Sequence, residues 1–216
     1  MTSENKTPAA QRFSLFIPEH HEGKQNDISH VVTLDTVEEA AKCFVRAYKR
    51  LFNPKIWHQV GGALSAEVSL RNANGSKERD LAEVNDHYRI DIPGPGTRVG
   101  DGYDWVVVEA IEDHHDASAA EEWMGLRLRP CRNPETNEGD IAHFFQDKAT
   151  STFIIHRQGT SVTASYHGRN EVPNTHTASG IDNLRNRVVT SGAMSGLSEA
   201  QWSALMKGFL QEEIGG

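Results

Sequence analysis

A chain of 216 residues is long enough for one domain of generous size, since about 100–200 residues is usual, and 37% hydrophobic content suffices to fill one core. Its 22 basic and 30 acidic residues leave a formal charge of −8, which repels a phosphate backbone; no Lys/Arg cluster reverses this locally, so no nucleic-acid partner is expected. No apolar run approaches the ~20 residues of a membrane helix, and the opening MTSENKTPAAQR lacks a stretch of signal-peptide type, so the expected location is cytoplasmic and away from membranes.

Residues 1–12 are expected to form a disordered tail, and residues 13–216 a single α+β domain. FSLFI (Phe13 to Ile17) is short and apolar enough for an edge strand. After the polar loop PEHHEGKQND, the run HVVTL (His30 to Leu34) predicts another strand. Thr36 and Glu39 stand at capping-box spacing, each able to satisfy a free backbone N–H of the other. The helix they open carries an apolar stripe of Val37, Ala40, Ala41, Phe44, Tyr48 and Leu51. Acids fall in its first turn and bases in its last, as the helix dipole favours. Asn53-Pro54 then starts a short second helix with Ile56 and Trp57.

From Ala63 to Arg169 the apolar period becomes two. Ala66, Val68 and Leu70 alternate with polar residues, and Asn74-Gly75 marks a turn. Further strands are predicted at His87 to Ile92, Tyr103 to Glu112, Trp123 to Arg129, Ile141 to Phe145, Thr150 to Arg157 and Thr160 to Arg169. Gln158-Gly159 would join the last two as a two-residue hairpin. Two helices close the chain, one over Ile181 to Thr190 and one from Ser198. Ser198 and Gln201 again have capping-box spacing, and Trp202, Leu205, Met206 and Phe209 make the apolar face. Cys43 and Cys131 lack any CxxC spacing and are expected as free thiols.

The stretch DIPGPGTRVGDGYDW holds Gly94, Gly96, Gly100 and Gly102 and invites comparison with a phosphate-cradling loop. Such a loop needs converging backbone N–H groups at a helix start. Pro95 has none, and the valine-rich YDWVVVEAIE that follows predicts a strand, so the stretch reads as a wide turn between strands.

Tyr103, Trp105, Val107, Glu109 and Ile111 should share one strand face. A carboxylate among such neighbours must be paired or partly neutral, so Glu109 is either a pocket acid–base catalyst or a structural partner of an arginine. Arg127 and Arg129, both on one face of their strand, could neutralise it or hold an anionic ligand. With Arg157 opposite Thr160, the hairpin puts Phe153, Ile155, Val162, Ala164 and Tyr166 on a core face. Thr152, Ile154, His156, Thr163, Ser165, His167 and Arg169 then lie on the other face. His156 and His167 are too far apart there to share a metal. The polar segment HGRNEVPNTHT, with Arg169, Asn170, Glu171, Asn174 and His176, is the best local candidate for ligand contacts. There is no HExxH, no Cys/His zinc spacing and no GxSxG; His20-His21 and His114-His115 are adjacent and diverge on extended backbone. The expected site is therefore Glu109 for catalysis, with Trp105, Arg127, Arg129, His156, His167, Arg169, Asn170 and Glu171 for ligand binding. No metal or cofactor is expected.

The order of elements in HVVTL, the Thr36 to Phe52 helix, NPKIWHQVGG, the strands through Arg169 and the helix from Ser198 to Gln211 resembles the START-like helix-grip superfamily. The FSLFI run and the helix near Ile181 depart from that pattern. The resemblance implies a curved antiparallel sheet of about six or seven strands packed on the C-terminal helix, with N-terminal helices. It implies a mixed apolar and polar cavity between sheet and helix, with Trp202, Leu205, Met206 and Phe209 facing or plugging it. The expected partner is then a small-molecule ligand. The alternatives are a cyclase- or hydrolase-like acid–base enzyme on the same scaffold, or a protein-interaction module. The sequence sets no oligomeric state.

Overall fold

The computed structural model describes residues 9–62, 66–72, 80–91, 100–136, 139–174 and 199–212. Its elements are α1 (Ala9–Phe16), β1 (Lys24–Thr33), α2 (Val37–Phe52), a 3-10 turn (Pro54–Ile56), α3 (Trp57–Val60), β2 (Glu67–Arg71), β3 (His87–Asp91), β4 (Asp104–His114), β5 (Glu121–Pro130), β6 (Thr150–Gln158), β7 (Ser161–Glu171) and α4 (Glu199–Leu210). The seven strands form one sheet in the order β1-β7-β6-β5-β4-β3-β2. Strands β2 to β7 follow one another as a meander, and β1 closes the order by pairing antiparallel with β7. Both α2 and α4 pack on one sheet face, where the main core lies. On the other face, α1 packs Phe16 against Trp123 and Ile154.

The capping box of α2 forms as expected. Thr36 Oγ1 accepts from Glu39 N at 3.2 Å, and Glu39 Oε2 accepts from Thr36 N at 3.1 Å. The expected stripe buries Ala40, Phe44 and Leu51 completely, and Ala47 with them, but Val37 in the first turn is exposed. Arg50, in the last turn of α2, donates to the carbonyls of Gly208, Phe209 and Gln211 at 3.0, 3.3 and 2.5 Å. It thereby satisfies carbonyls at the end of α4 that have no helical partner and places a positive charge at the negative end of that helix. A Cβ at Gly208 would lie 2.0 Å from Val60 O, so only glycine lets α4 approach α3 this closely.

Three expectations change. FSLFI is the end of helix α1, not an edge strand: Phe13 and Phe16 are one turn apart and both reach Trp123, at ring separations of 6.3 and 5.9 Å. A run this short fits either period, and the partner on the sheet decides it. The helix begins at Ala9, within the stretch expected as a tail. Ile141 to Phe145 is loop with a single bridge, Phe145 to Pro173. Its backbone bonds go to two loop residues and to the start of β4: Ala142 N donates to Cys131 O, Asn174 N donates to Phe144 O, and Trp105 N donates to Ala142 O.

The third change is the β6–β7 register. Arg157 lies opposite Val162, and Gln158 opposite Ser161, with Gly159-Thr160 as the turn. Gly159 supplies the positive φ of 58° that the turn needs. The shift from the expected pairing is two residues, an even number, so no side chain changes face. Phe153, Ile155, Val162, Ala164 and Tyr166 all lie in the main core, as expected. Asn74-Gly75, most of the glycine-rich stretch, the helix expected over Ile181 to Thr190, Ser198 and His176 lie outside the described residues.

Candidate functional site

Near the end of β7 the pairing with β1 slips. Lys24 faces Glu171 and Asn26 faces Gly168, so Arg169 and Asn170 together oppose Gln25 alone. This is a β-bulge, and it reverses which side the next residue faces. Asn170 takes the left-handed conformation, φ 56°, which asparagine tolerates better than most residues. Its Oδ1 accepts from His21 N at 2.7 Å and its Nδ2 donates to Glu19 O at 3.0 Å, tying the segment before β1 to the bulge.

With the bulge in place, Glu171 joins the side of the sheet occupied by Tyr166. The residue is 4% exposed. Oε1 accepts from Tyr166 Oη at 3.0 Å, while Oε2 is buried with no hydrogen-bond partner among the described residues. A Cβ at Gly168 would lie 2.3 Å from Glu171 Oε1 and 2.9 Å from Tyr166 Oη, so the carboxyl occupies space that only glycine leaves. Tyr166 stacks on Trp202 of α4 at 4.3 Å with the rings 13° from parallel, and its Oη stands 3.5 Å from Ser151 Oγ. Phe153 packs on Trp202 at 5.5 Å and on Trp57 at 5.3 Å. At the rim, Lys24 Nζ pairs with Glu199 Oε1 at 3.2 Å.

Burial raises the pKa of Glu171; the Tyr166 hydrogen bond and the charges of Lys24 and Arg169 pull it down, without cancelling that effect. Burial likewise pushes the Tyr166 hydroxyl well above its usual value, reinforced by the nearby Glu171 charge. A buried carboxyl oxygen with no donor costs on the order of 1–3 kcal/mol, and more when charged. The site therefore offers one vacant polar valence beside a wall of aromatic rings. Chemically it can accept a donor from a ligand or, when protonated, donate its own O–H.

The other expected site residues fall into separate groups. Glu109 is the extra residue of a bulge in β4, where Val108 faces Leu128 and Ala110 faces Arg127. It follows the core residue Val108 onto the opposite face, and the bulge carries Ile111 back to the core side. Its two oxygens accept from Arg127 Nε and Arg129 Nε, each at 2.5 Å. Burial raises its pKa, but the two guanidinium groups outweigh burial and hold it below the usual carboxylate value. Arg127 also donates to Phe16 O at 2.8 Å, and Arg129 to Asp147 O at 2.8 Å. The three side chains thus tie α1 and the loop before β6 to the sheet. Trp105 is fully buried, its Nε1 3.4 Å from Gly100 O. His156 pairs with Glu121 at 2.7 Å beneath the Phe13 ring.

On β7, His167 Nδ1 is 2.6 Å from Asp27 Oδ1 and Nε2 is 3.0 Å from Ser165 Oγ, while Arg169 Nη2 donates to Asp27 at 2.7 Å. These are the separations of a serine–histidine–aspartate triad. Ser165, however, sits inside a strand paired on both sides, where the ladders consume the backbone N–H groups an oxyanion would need. Burial lowers the pKa of His167 despite Asp27. Asp27 feels some burial, but its hydrogen bonds to Arg169, Gln25 and His167 prevail and bring its pKa to about 2. This cluster joins β1 to β7.

The structure thus unites Glu109 with Arg127 and Arg129, and His167 with Arg169, but no hydrogen bond or ion pair links either group to Glu171. Sequence reasoning placed Tyr166 on the core face and Trp202 on the helix face, but had no signal for the bulge that brings Glu171 to them. Among the described residues, no group of three or more His, Cys, Asp or Glu is arranged to hold a metal. Both cysteines are free; burial pushes the Cys131 thiol up to about 12 and raises Cys43 as well. No helix among the described residues is long and apolar enough to cross a membrane.

The sheet, its strand order and the helix across it define an α+β protein of helix-grip architecture. No protein-family model matches the chain, and no curated protein matches its sequence. Solved structures that resemble it include Ara h 8.0201, at 9% identity and a TM-score of 0.32, covering 87% of this chain and 98% of that one. The ginseng major latex-like protein 151 from Panax ginseng matches at 12% identity and 0.33, covering 77% and 92%. A Staphylococcus epidermidis protein solved by NMR matches at 14% and 0.28, covering 89% and 96%.

Proposed function

We propose that the protein binds a small molecule between the sheet and α4, with an apolar body against Trp202 and Phe153 and one polar group hydrogen-bonded to Glu171. The observation that carries this reading is the unpartnered Oε2 of a carboxyl that is 4% exposed. Of seven buried side-chain atoms without a partner among the described residues, Oε2 is the one from a carboxyl, the group costliest to leave unpaired, and it lies at the end of an aromatic wall, which supports an occupant there. Native mass spectrometry of untagged protein, against its denatured mass, tests the proposal. An adduct lost on denaturation, and lost from Glu171→Leu, is expected. Bare protein in every preparation, with Glu171→Leu simply more stable, would make the vacancy a structural cost and overturn the reading.

Acid–base catalysis at the same carboxyl is the second reading, favoured by the upward shift of its pKa. Glu171→Gln separates the two, because retained binding with lost turnover assigns catalysis.

A further inference from the structure

The outer side of α2 faces a groove of about 960 Å³ that is independent of Glu171. Its apolar lining comes from Ala41, Val45, Ile56, Leu81 and Ala117. Its charged lining is one-sided: Lys42, Arg46, Lys49 and Arg50 against Glu38. That is a local excess of positive charge along α2, on a chain of formal charge −8 that was expected to hold no Lys/Arg cluster. Arg50 is committed to α4, Arg46 donates to Gln211 O at 3.0 Å, and Lys42 pairs with Glu38 at 2.7 Å. Lys49 has no hydrogen bond or ion pair among the described residues.

His115 completes the wall, and it is held there by a buried chain of charge. Its Nδ1 stands 2.6 Å from Glu122 Oε2, and its ring lies against Phe44 and Tyr48 at 5.6 and 5.7 Å. Glu122 Oε1 accepts from Arg157 Nε at 2.5 Å, and both of these side chains are fully buried. Arg157 also donates to Ala119 O at 2.8 Å and Gly159 O at 3.2 Å. Burying an ion pair is a poor source of stability, so its use here is better understood as positioning. An ionised Glu122 can only accept, so Nδ1 carries a hydrogen and Nε2 is left for an outside partner. Nε2 has no partner among the described residues, while the His115 side chain is 33% exposed.

We infer that this groove is a second ligand site, for an amphipathic anion of the carboxylate type whose chain lies on the apolar lining and whose head sits between His115 and Lys49. A carboxylate there meets the ammonium of Lys49 and can accept from His115 Nε2 when that nitrogen carries a hydrogen, with Nδ1 held from behind by Glu122. The volume lies within the range of small-molecule sites, about 300–1,000 Å³.

The probe is decanoate, titrated into isotope-labelled protein and followed by amide shifts. Saturable shifts are expected at Val45, Lys49 and His115, with binding weakened at least tenfold by Lys49→Glu and by His115→Gln. Lys49 is exposed and has no ion pair among the described residues, so its replacement leaves the fold intact and keeps the test decisive. Glu171→Gln should leave decanoate binding unchanged, which separates this site from the interior one. Equal binding of decanol, undiminished binding by Lys49→Glu, or shifts confined to Glu171 and Trp202 would overturn the proposal. So would a concentration-dependent dimer, dissolved by Lys49→Glu, which would assign the groove to a second copy.

Discussion

Asn170 Oδ1 accepts the backbone N–H of His21 at 2.7 Å, and the next residue, Glu171, turns its carboxyl beneath Tyr166. The first contact makes the second possible. Arg169 and Asn170 occupy the space of one residue opposite Gln25, and the left-handed backbone at Asn170 is held by its own side chain.

Asn170→Gly keeps the positive φ and loses the side-chain bonds to His21 and Glu19. At about 1 kcal/mol per hydrogen bond, the expected loss is on the order of 2 kcal/mol. Asn170→Val adds the steric penalty of a β-branched residue in that region and should lose about 1–2 kcal/mol more. Urea unfolding measures both. Equal stability of the glycine variant and the parent would show that the bulge persists without the asparagine.

The raised pKa of Glu171 gives a pH dependence with a definite sign. The folded carboxyl holds its proton to higher pH than the unfolded one does. Its contribution is therefore fully present below the unfolded value near 4.5 and is lost as pH rises through the folded value. Glu171→Gln carries no titrating proton. Stability of the variant relative to the parent should rise over that same window, and a pH series of thermal melts should show it. A difference independent of pH would contradict the shift.

Glu109 behaves in the opposite sense, because Arg127 and Arg129 outweigh burial and lower its pKa. Its contribution is present above the usual value of 4.5 and disappears as pH falls through the lowered folded value. Glu109→Gln should cost about 2 kcal/mol at neutral pH, as two charge-assisted bonds weaken and two guanidinium groups are left facing each other. It should also loosen α1, which Arg127 holds through Phe16 O. Faster proteolytic cleavage near Phe13 is the expected readout. Protection equal to that of the parent would remove this residue from the anchoring of α1.

Glu122 and Arg157 should show strong coupling in a double-mutant cycle. Removing either alone leaves a buried charge without its partner and should cost about 3–5 kcal/mol. The double variant Glu122→Gln/Arg157→Met should cost much less than the two single variants added together. Additive losses would mean that the two side chains act separately.

The main features of the fold were legible in the sequence because they repeat. Period two marks Phe153, Ile155, Val162, Ala164 and Tyr166 as core residues, and each is buried. Thr36 and Glu39 announce a helix start through local chemistry alone, and the capping box forms. The core face of the β6–β7 hairpin was likewise determined in advance, since a two-residue error in register leaves every side chain on its own face. Only the tertiary structure decided the rest. FSLFI becomes helix because Trp123 lies opposite it, and Ile141 to Phe145 becomes loop because its backbone bonds are divided among Cys131, Trp105 and Asn174 and form no ladder with one strand. The candidate site depends on the bulge at Arg169–Asn170, and the Glu109 cluster on a second one in β4; each inserts one residue and reverses the alternation beyond it. Alternation is a local property that a sequence displays over a few residues. A bulge is a property of two paired strands, and the face on which Glu171 lies is set by the partner that Gln25 fails to match.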